Sequence, residues 1–306
     1  MPLRTHPDEV IRQRFRARAR ALPRARAGEP KAVHKARVAS RRVREALPVA
    51  LATAPVRKRR KLRARVERIT RVLGPVRELD VTLALIDELR AGEDTASDAL
   101  DHLRREVQAE RRARYDRMVG KLDDVDVKRL HSRAERLGAG AAGESDARRL
   151  PGTAALMLRL TRRVQELDEA VQAAGPLYAA EPIHAVRIAV KKLRYAFELS
   201  RDLQLLGSRA ALPRLRAMQE TLGRLHDFQV LAARVDIWRL RTTAADPHLD
   251  SFNALHALLE SRCRELHARF LARRDRLVAV VDEALADVAS RAAVLSEAPA
   301  AQTVVH

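Results

Sequence analysis

Residues 34–44 read HKARVASRRVR and residues 184–194 read HAVRIAVKKLR, the same pattern twice at an offset of 150. His34/His184, Arg37/Arg187, Ala39/Ala189 and Arg44/Arg194 are identical, Arg41/Lys191 and Arg42/Lys192 keep their charge, and Val38/Ile188 and Val43/Leu193 stay apolar. Further on, LGPVRELDV at 73–81 pairs with LGRLHDFQV at 222–230, sharing the Leu-Gly, an acid at Glu78/Asp227 and a final Val. A third, weaker match sets Glu110, Arg112 and Arg114 against Glu260, Arg262 and Arg264. Ordered matches at an offset of about 150 predict a tandem duplication of one unit.

That unit is helical. With His34 at zero and 100° per residue, Arg37, Arg41 and Arg44 fall at about 300°, 340° and 280°, while Val43, Ala46 and Leu47 fall between about 120° and 220°. One face is cationic and the opposite face apolar, and His184, Arg187, Lys191 and Arg194 repeat the arrangement. The same period runs through almost the whole chain, and no segment alternates as a strand would. The expected fold is all-α, two pseudo-symmetric bundles of about four helices each. Breakers place helices near 7–22, 31–53, 56–73, 76–91, 96–121 and 124–137, then 153–174, 182–206, 208–222, 225–242 and 249–289. The first bundle spans 7–137, a Gly/Ser-rich linker 138–152, the second bundle 153–289 and a flexible tail 290–306.

Composition fits. The 306 residues are 46% hydrophobic but only 3% aromatic, so burial relies on Ala, Leu and Val, good helix formers for the most part. Sixty Lys and Arg against 40 Asp and Glu leave a net charge of +20, which favours a polyanionic partner. The excess is uneven: residues 1–150 carry 38 cations and 22 acids, residues 151–306 carry 22 and 18. Cations at i, i+3, i+7 and i+10 repel one another where a solvated helix face would intersperse acids, so the rows call for an anion. Helix 56–73 repeats the design, with Lys61, Arg65 and Arg68 among its cations.

Other classes are disfavoured. A single cysteine, Cys263, rules out an intrachain disulfide and a Cys-based zinc cluster, and points to a reducing compartment. Neither a signal-peptide core nor a run of about 18 apolar residues is present, so a soluble, cytoplasmic protein without membrane contact is expected. No partner at i+4 makes His34 or His184 a metal ligand, so no metal or cofactor is expected. P-loop, acidic magnesium cluster and nucleophile-elbow motifs are lacking, which argues against an enzyme. Glu78, Asp80 and Asp227 read either as acids near helix starts or as braces for the arginine forks.

With these residues in view, the chain resembles the CHAD family, the conserved-histidine α-helical domain, from about residue 7 to 289. The resemblance implies paired four-helix bundles around a basic central cavity that binds inorganic polyphosphate, with association with polyphosphate granules. Carried over by position, the ligand-facing residues are His34, Arg37, Arg41 and Arg44, and His184, Arg187, Lys191 and Arg194. The wider candidate set adds Arg42, Lys61, Arg65, Arg68, Arg112, Lys192, Arg214, Arg216 and Arg264. The sequence departs from an even repeat at His226 and Gln229, which stand where the first half has Arg77 and Asp80. The alternative is a nucleic-acid-binding helical protein, made weaker by the scarcity of stacking aromatics.

Overall fold

The structure, a computed structural model, describes residues 7–92, 96–123, 129, 130, 132–134, 136, 149–205, 210–243 and 245–296. Ten helices and no strand lie among them. Five precede residue 124: α1 (Pro7–Arg26), α2 (Pro30–Ala50), α3 (Val56–Val72), α4 (Gly74–Arg90) and α5 (Ser97–Asp123). Five follow residue 148: α6 (Arg149–Ala173), α7 (Ala180–Asp202), α8 (Ala211–Arg239), α9 (Leu249–Leu271) and α10 (Arg274–Ser296). Most of the expected linker, residues 138–148, and the tail from 297 onward lie outside the described residues, whereas 290–296 continue α10.

The amphipathic pattern drives the packing. In α2 the apolar face of Val33, Ala36, Val43 and Leu47 is buried against α1 and α3, and in α7 Val186, Val190, Leu193 and Phe197 do the same against α6 and α8. The two sets meet along α2 with α6 and α7, α4 with α8, and α5 with α9. Ion pairs fasten that junction. Glu45 of α2, almost fully buried, takes both forks of Arg159 of α6 at 2.6 and 2.7 Å. Arg14 reaches Asp202 at 2.8 Å, Arg224 grips Glu88 at 2.6 Å and Arg234 meets Glu110 at 2.9 Å.

Two expected boundaries differ. The break expected at 222–225 does not exist: α8 runs unbroken through Gly223. A lone glycine costs a helix about 1 kcal/mol and is outweighed by packing, whereas Gly74 is followed by Pro75, which has no N–H to extend α3 and instead occupies the first turn of α4. Conversely, the single helix expected at 249–289 is split at Ala272 and Arg273, where neither Gly nor Pro signals a stop.

Candidate functional site

Four helices, α2, α4, α7 and α8, enclose a cavity of about 400 Å³. Its lining falls into pairs 149 or 150 positions apart: His34 with His184, Arg37 with Arg187, Val38 with Ile188 and Arg41 with Lys191 from α2 and α7. Gly74 with Gly223, Arg77 with His226, Glu78 with Asp227 and Val81 with Val230 follow from α4 and α8, and Thr82 completes the wall. The two histidine-led rows therefore face a common space.

Four arginines and Lys191 share this space with two carboxylates. Burial, and then the neighbouring Arg41, Arg187, Arg37 and Arg44, push the Lys191 ammonium down from 10.5 to about 7. Arg37 is lowered to about 10, chiefly by burial and by Arg41, although Glu78 pulls the other way. Burial also lowers Arg77 and Arg187, each opposed by Asp227. Asp227 itself is raised, because its loss of water outweighs the pull of Arg187, Arg224 and Arg77.

The imidazoles belong to the same field. His184 and His226 lie with ring centroids 4.9 Å apart, and burial, Arg187, His184 and Lys191 hold His226 down at about 4. His34 and His184 are lowered as well, again by burial first and then by flanking cations. An anion entering the cavity would favour every protonated form at once.

Arg37 has a second task. Its Nη1 donates to the Thr70 carbonyl at 2.9 Å, so it caps the C-terminus of α3 where the chain breaks before Pro75. Gly74 makes room for this, since a Cβ there would stand 2.9 Å from that nitrogen. In the other half α8 is continuous, so Arg187 is left to the cavity.

The CHAD domain family model matches residues 9–236. The chain belongs to the CHAD family. Among solved structures, that of the CHAD domain from the plant Ricinus communis is similar at TM-score 0.62 and 20% identity, covering 92% of this chain and 93% of the other. PptA from Streptomyces chartreusis is similar at TM-score 0.62 and 18% identity, covering 89% and 99%. Comparison with curated proteins gives no match.

In this CHAD domain the other candidate residues lie outside the cavity lining. Arg44 sits one turn beyond, close enough to lower Lys191, with Glu67 and Glu45 nearby. Arg194 is nearly buried and committed to Glu198 and to Gln219 at 2.7 Å. Arg42 and Lys192 turn to the flanks, where Arg42 meets Glu198 at 3.1 Å and Lys192 meets Glu166 at 3.0 Å. Lys61, Arg65 and Arg68 of α3, with Arg112 and Arg216, are exposed away from the cavity. Arg214 pairs with Glu283 and Arg264 with Glu260.

Arg77 and His226, which the repeated cationic rows do not nominate, also line the cavity. Their signal was present: they occupy equivalent places in the Leu-Gly repeat, one turn past the glycine. The acids divide. Asp80 pairs with Arg111 of α5 at 2.6 Å, whereas Glu78 and Asp227 flank the rows, and Asp227 stands in mid-helix rather than near a helix start.

Proposed function

We propose that this chain binds inorganic polyphosphate as a non-enzymatic module, with the phosphate chain held between the two histidine-led rows. The observation that carries the reading is Lys191, half-buried on the cavity wall among four arginines. Such crowding is costly in the empty protein and is relieved by an anion with several charges in line. The rows span about 10 Å from His34 to Arg41 and again from His184 to Lys191, at 1.5 Å per residue, which suits a linear anion better than a single phosphate.

Binding without turnover agrees with the donor set. Phosphoryl transfer needs groups that share developing charge or activate a nucleophile, usually with a metal ion, and the cavity offers many cations but only Glu78 and Asp227 as carboxylates. Among the described residues no group of three His, Cys, Asp or Glu side chains is placed to hold a metal ion. None of the described helices is long and apolar enough to cross a membrane. Recruitment to polyphosphate granules would follow from the same binding.

Titration with long-chain polyphosphate at two salt concentrations, beside single-stranded DNA at equal phosphate concentration, tests the reading. Tight polyphosphate binding that weakens steeply with salt, and is not displaced by DNA, is the expected result. Displacement by DNA at parity would transfer the site to nucleic acids, and release of phosphate with magnesium or manganese present would make the protein an enzyme.

A further inference from the structure

Two grooves adjoin the central cavity, and their chemistry is opposite. The first, of about 790 Å³, runs along α1 and α2 to the end of α7 and shares His34 and Val38 with the cavity. The second, of about 460 Å³, runs along α6 and α7 and shares Ile188 with it. Their floors correspond: Val38, Ala39 and Arg42 in one are matched by Ile188, Ala189 and Lys192 in the other. Their outer walls do not. α1 supplies Arg20 and Arg24, whereas α6 supplies Glu166 and Glu169, and Lys35 of the first groove is replaced by Ala185 in the second.

Pairing sharpens the contrast. Each acid of the α1–α2 groove already holds a cation: Glu29 takes Arg24 at 2.8 Å, Glu198 takes Arg42 at 3.1 Å and Asp202 takes Arg14 at 2.8 Å. Arg20, Lys31 and Lys35 are exposed and have no ion-pair partner among the described residues. In the α6–α7 groove Glu166 is neutralised, since it takes Lys192 at 3.0 Å, Arg163 at 2.6 Å and Arg162 at 3.2 Å, and the exposed Glu169 is the acid left without an ion-pair partner among the described residues. From Lys31 to Arg42 the positive groove is about 16 Å long, at 1.5 Å per residue. Unpaired charges at these separations act beyond a single contact, since screening at physiological salt takes about 8 Å.

We infer that the anion path through this protein is one-sided: a polyphosphate chain longer than the cavity passes His34 into the α1–α2 groove, where Arg20, Lys31 and Lys35 receive its phosphates, and turns away from the α6–α7 groove, which offers no unpaired cation and presents the unpaired acid Glu169. The inference rests on the polyphosphate reading of the cavity and adds a second anion-binding segment with a direction. Short chains are held by the cavity alone; long chains use both.

The test compares tripolyphosphate with long-chain polyphosphate on the full chain. In the double variant Lys31→Glu/Lys35→Glu, long-chain affinity falls at least tenfold and the slope of log affinity against log salt becomes shallower by about 1.4, at roughly 0.7 per lost phosphate contact. Tripolyphosphate affinity changes less than about threefold, as expected for charges confined to the groove. Glu169→Lys has the opposite effect, raising long-chain affinity alone. Both lysines are exposed on α2, and an acid at 31 suits the first turn of a helix, so an unchanged circular dichroism spectrum is expected. Unchanged long-chain binding in the double variant, or equal losses for both anions, overturns the one-sided path while leaving the cavity reading intact. Failure of the unaltered chain to bind either anion removes the cavity reading and the path together.

Discussion

Lys191 gives the most direct handle on the cavity. Arg37, Arg41 and Arg44 of α2 and Arg187 of α7 act with burial to hold its pKa at about 7, while His226, Asp227, Arg77 and Glu78 complete the charged surroundings from α8 and α4. A bound polyanion restores the charged form. The folded, empty protein at pH 8 carries only about a tenth of the Lys191 proton, so binding should draw in about 0.9 proton at that pH. Because the empty form has the lower pKa, affinity is highest at and below pH 7 and falls as pH rises above it. If binding returns the lysine to 10.5, affinity drops about 50-fold between pH 7 and 9; if solvent screening leaves half of that recovery, about 20-fold. Lys191→Arg makes the position like Arg41 in the first half and stays charged throughout, so it should flatten the profile and bind better than the unaltered protein at pH 9. Isothermal titration calorimetry in two buffers of different ionisation enthalpy counts the protons. Uptake below about 0.2 proton at pH 8, or the same uptake in Lys191→Arg, would refute the reasoning.

Arg187→Glu should weaken polyphosphate binding by two orders of magnitude or so, whereas Arg216→Glu, exposed away from the cavity, should change it less than threefold; fluorescence titration separates them. Gly223→Ala, where an added Cβ meets nothing within 4 Å, should stabilise α8 by up to about 1 kcal/mol in urea unfolding, while Gly74→Ala should displace Arg37 from Thr70 and lower both stability and binding. Glu45→Gln takes the two-pronged carboxylate from the largely buried Arg159, while Arg163 keeps Glu166, and should cost about 3 kcal/mol in the same assay. His226 is held at about 4 in the fold against 6.5, so the unfolded chain takes the proton first and stability is lost as pH falls from 6.5 toward 4. His226→Asn should reduce that loss, read from thermal melts across the range.

The sequence made the helical class and the convergence of the rows legible for different reasons. Amphipathic period alone identifies helices, and the angular argument correctly put His34, Arg37 and Arg41, and their partners, on one side. It could not say how far along a row the cavity extends, which is why Arg44 and Arg194 fall beyond it, the latter neutralised by Glu198. Arg42 and Lys192 repeat in charge between the halves, but a step of one residue turns a side chain by 100°, and both face the flanks. The cations of α3 share a face as expected, but a face pattern does not reveal what lies opposite, and theirs looks to solvent. Arg77 and His226 were visible as a mismatch in the repeat; only the packing of α4 on α8 makes that mismatch part of the site. The break at Ala272 left no mark because no residue type there forbids a helix.

The ion pairs that tie one half to the other have a consequence for what the trough can admit. Glu45 with Arg159, Arg224 with Glu88 and Arg234 with Glu110 clasp one half to the other, and the first of these is the clasp shielded from water. On the reading proposed above, a bare mineral thread would leave that clasp closed. On the same reading, a strand burdened with sugars and bases would have to prise open a jaw whose Glu45 rivet is nearly dry, which would make girth, beside charge, a criterion of entry.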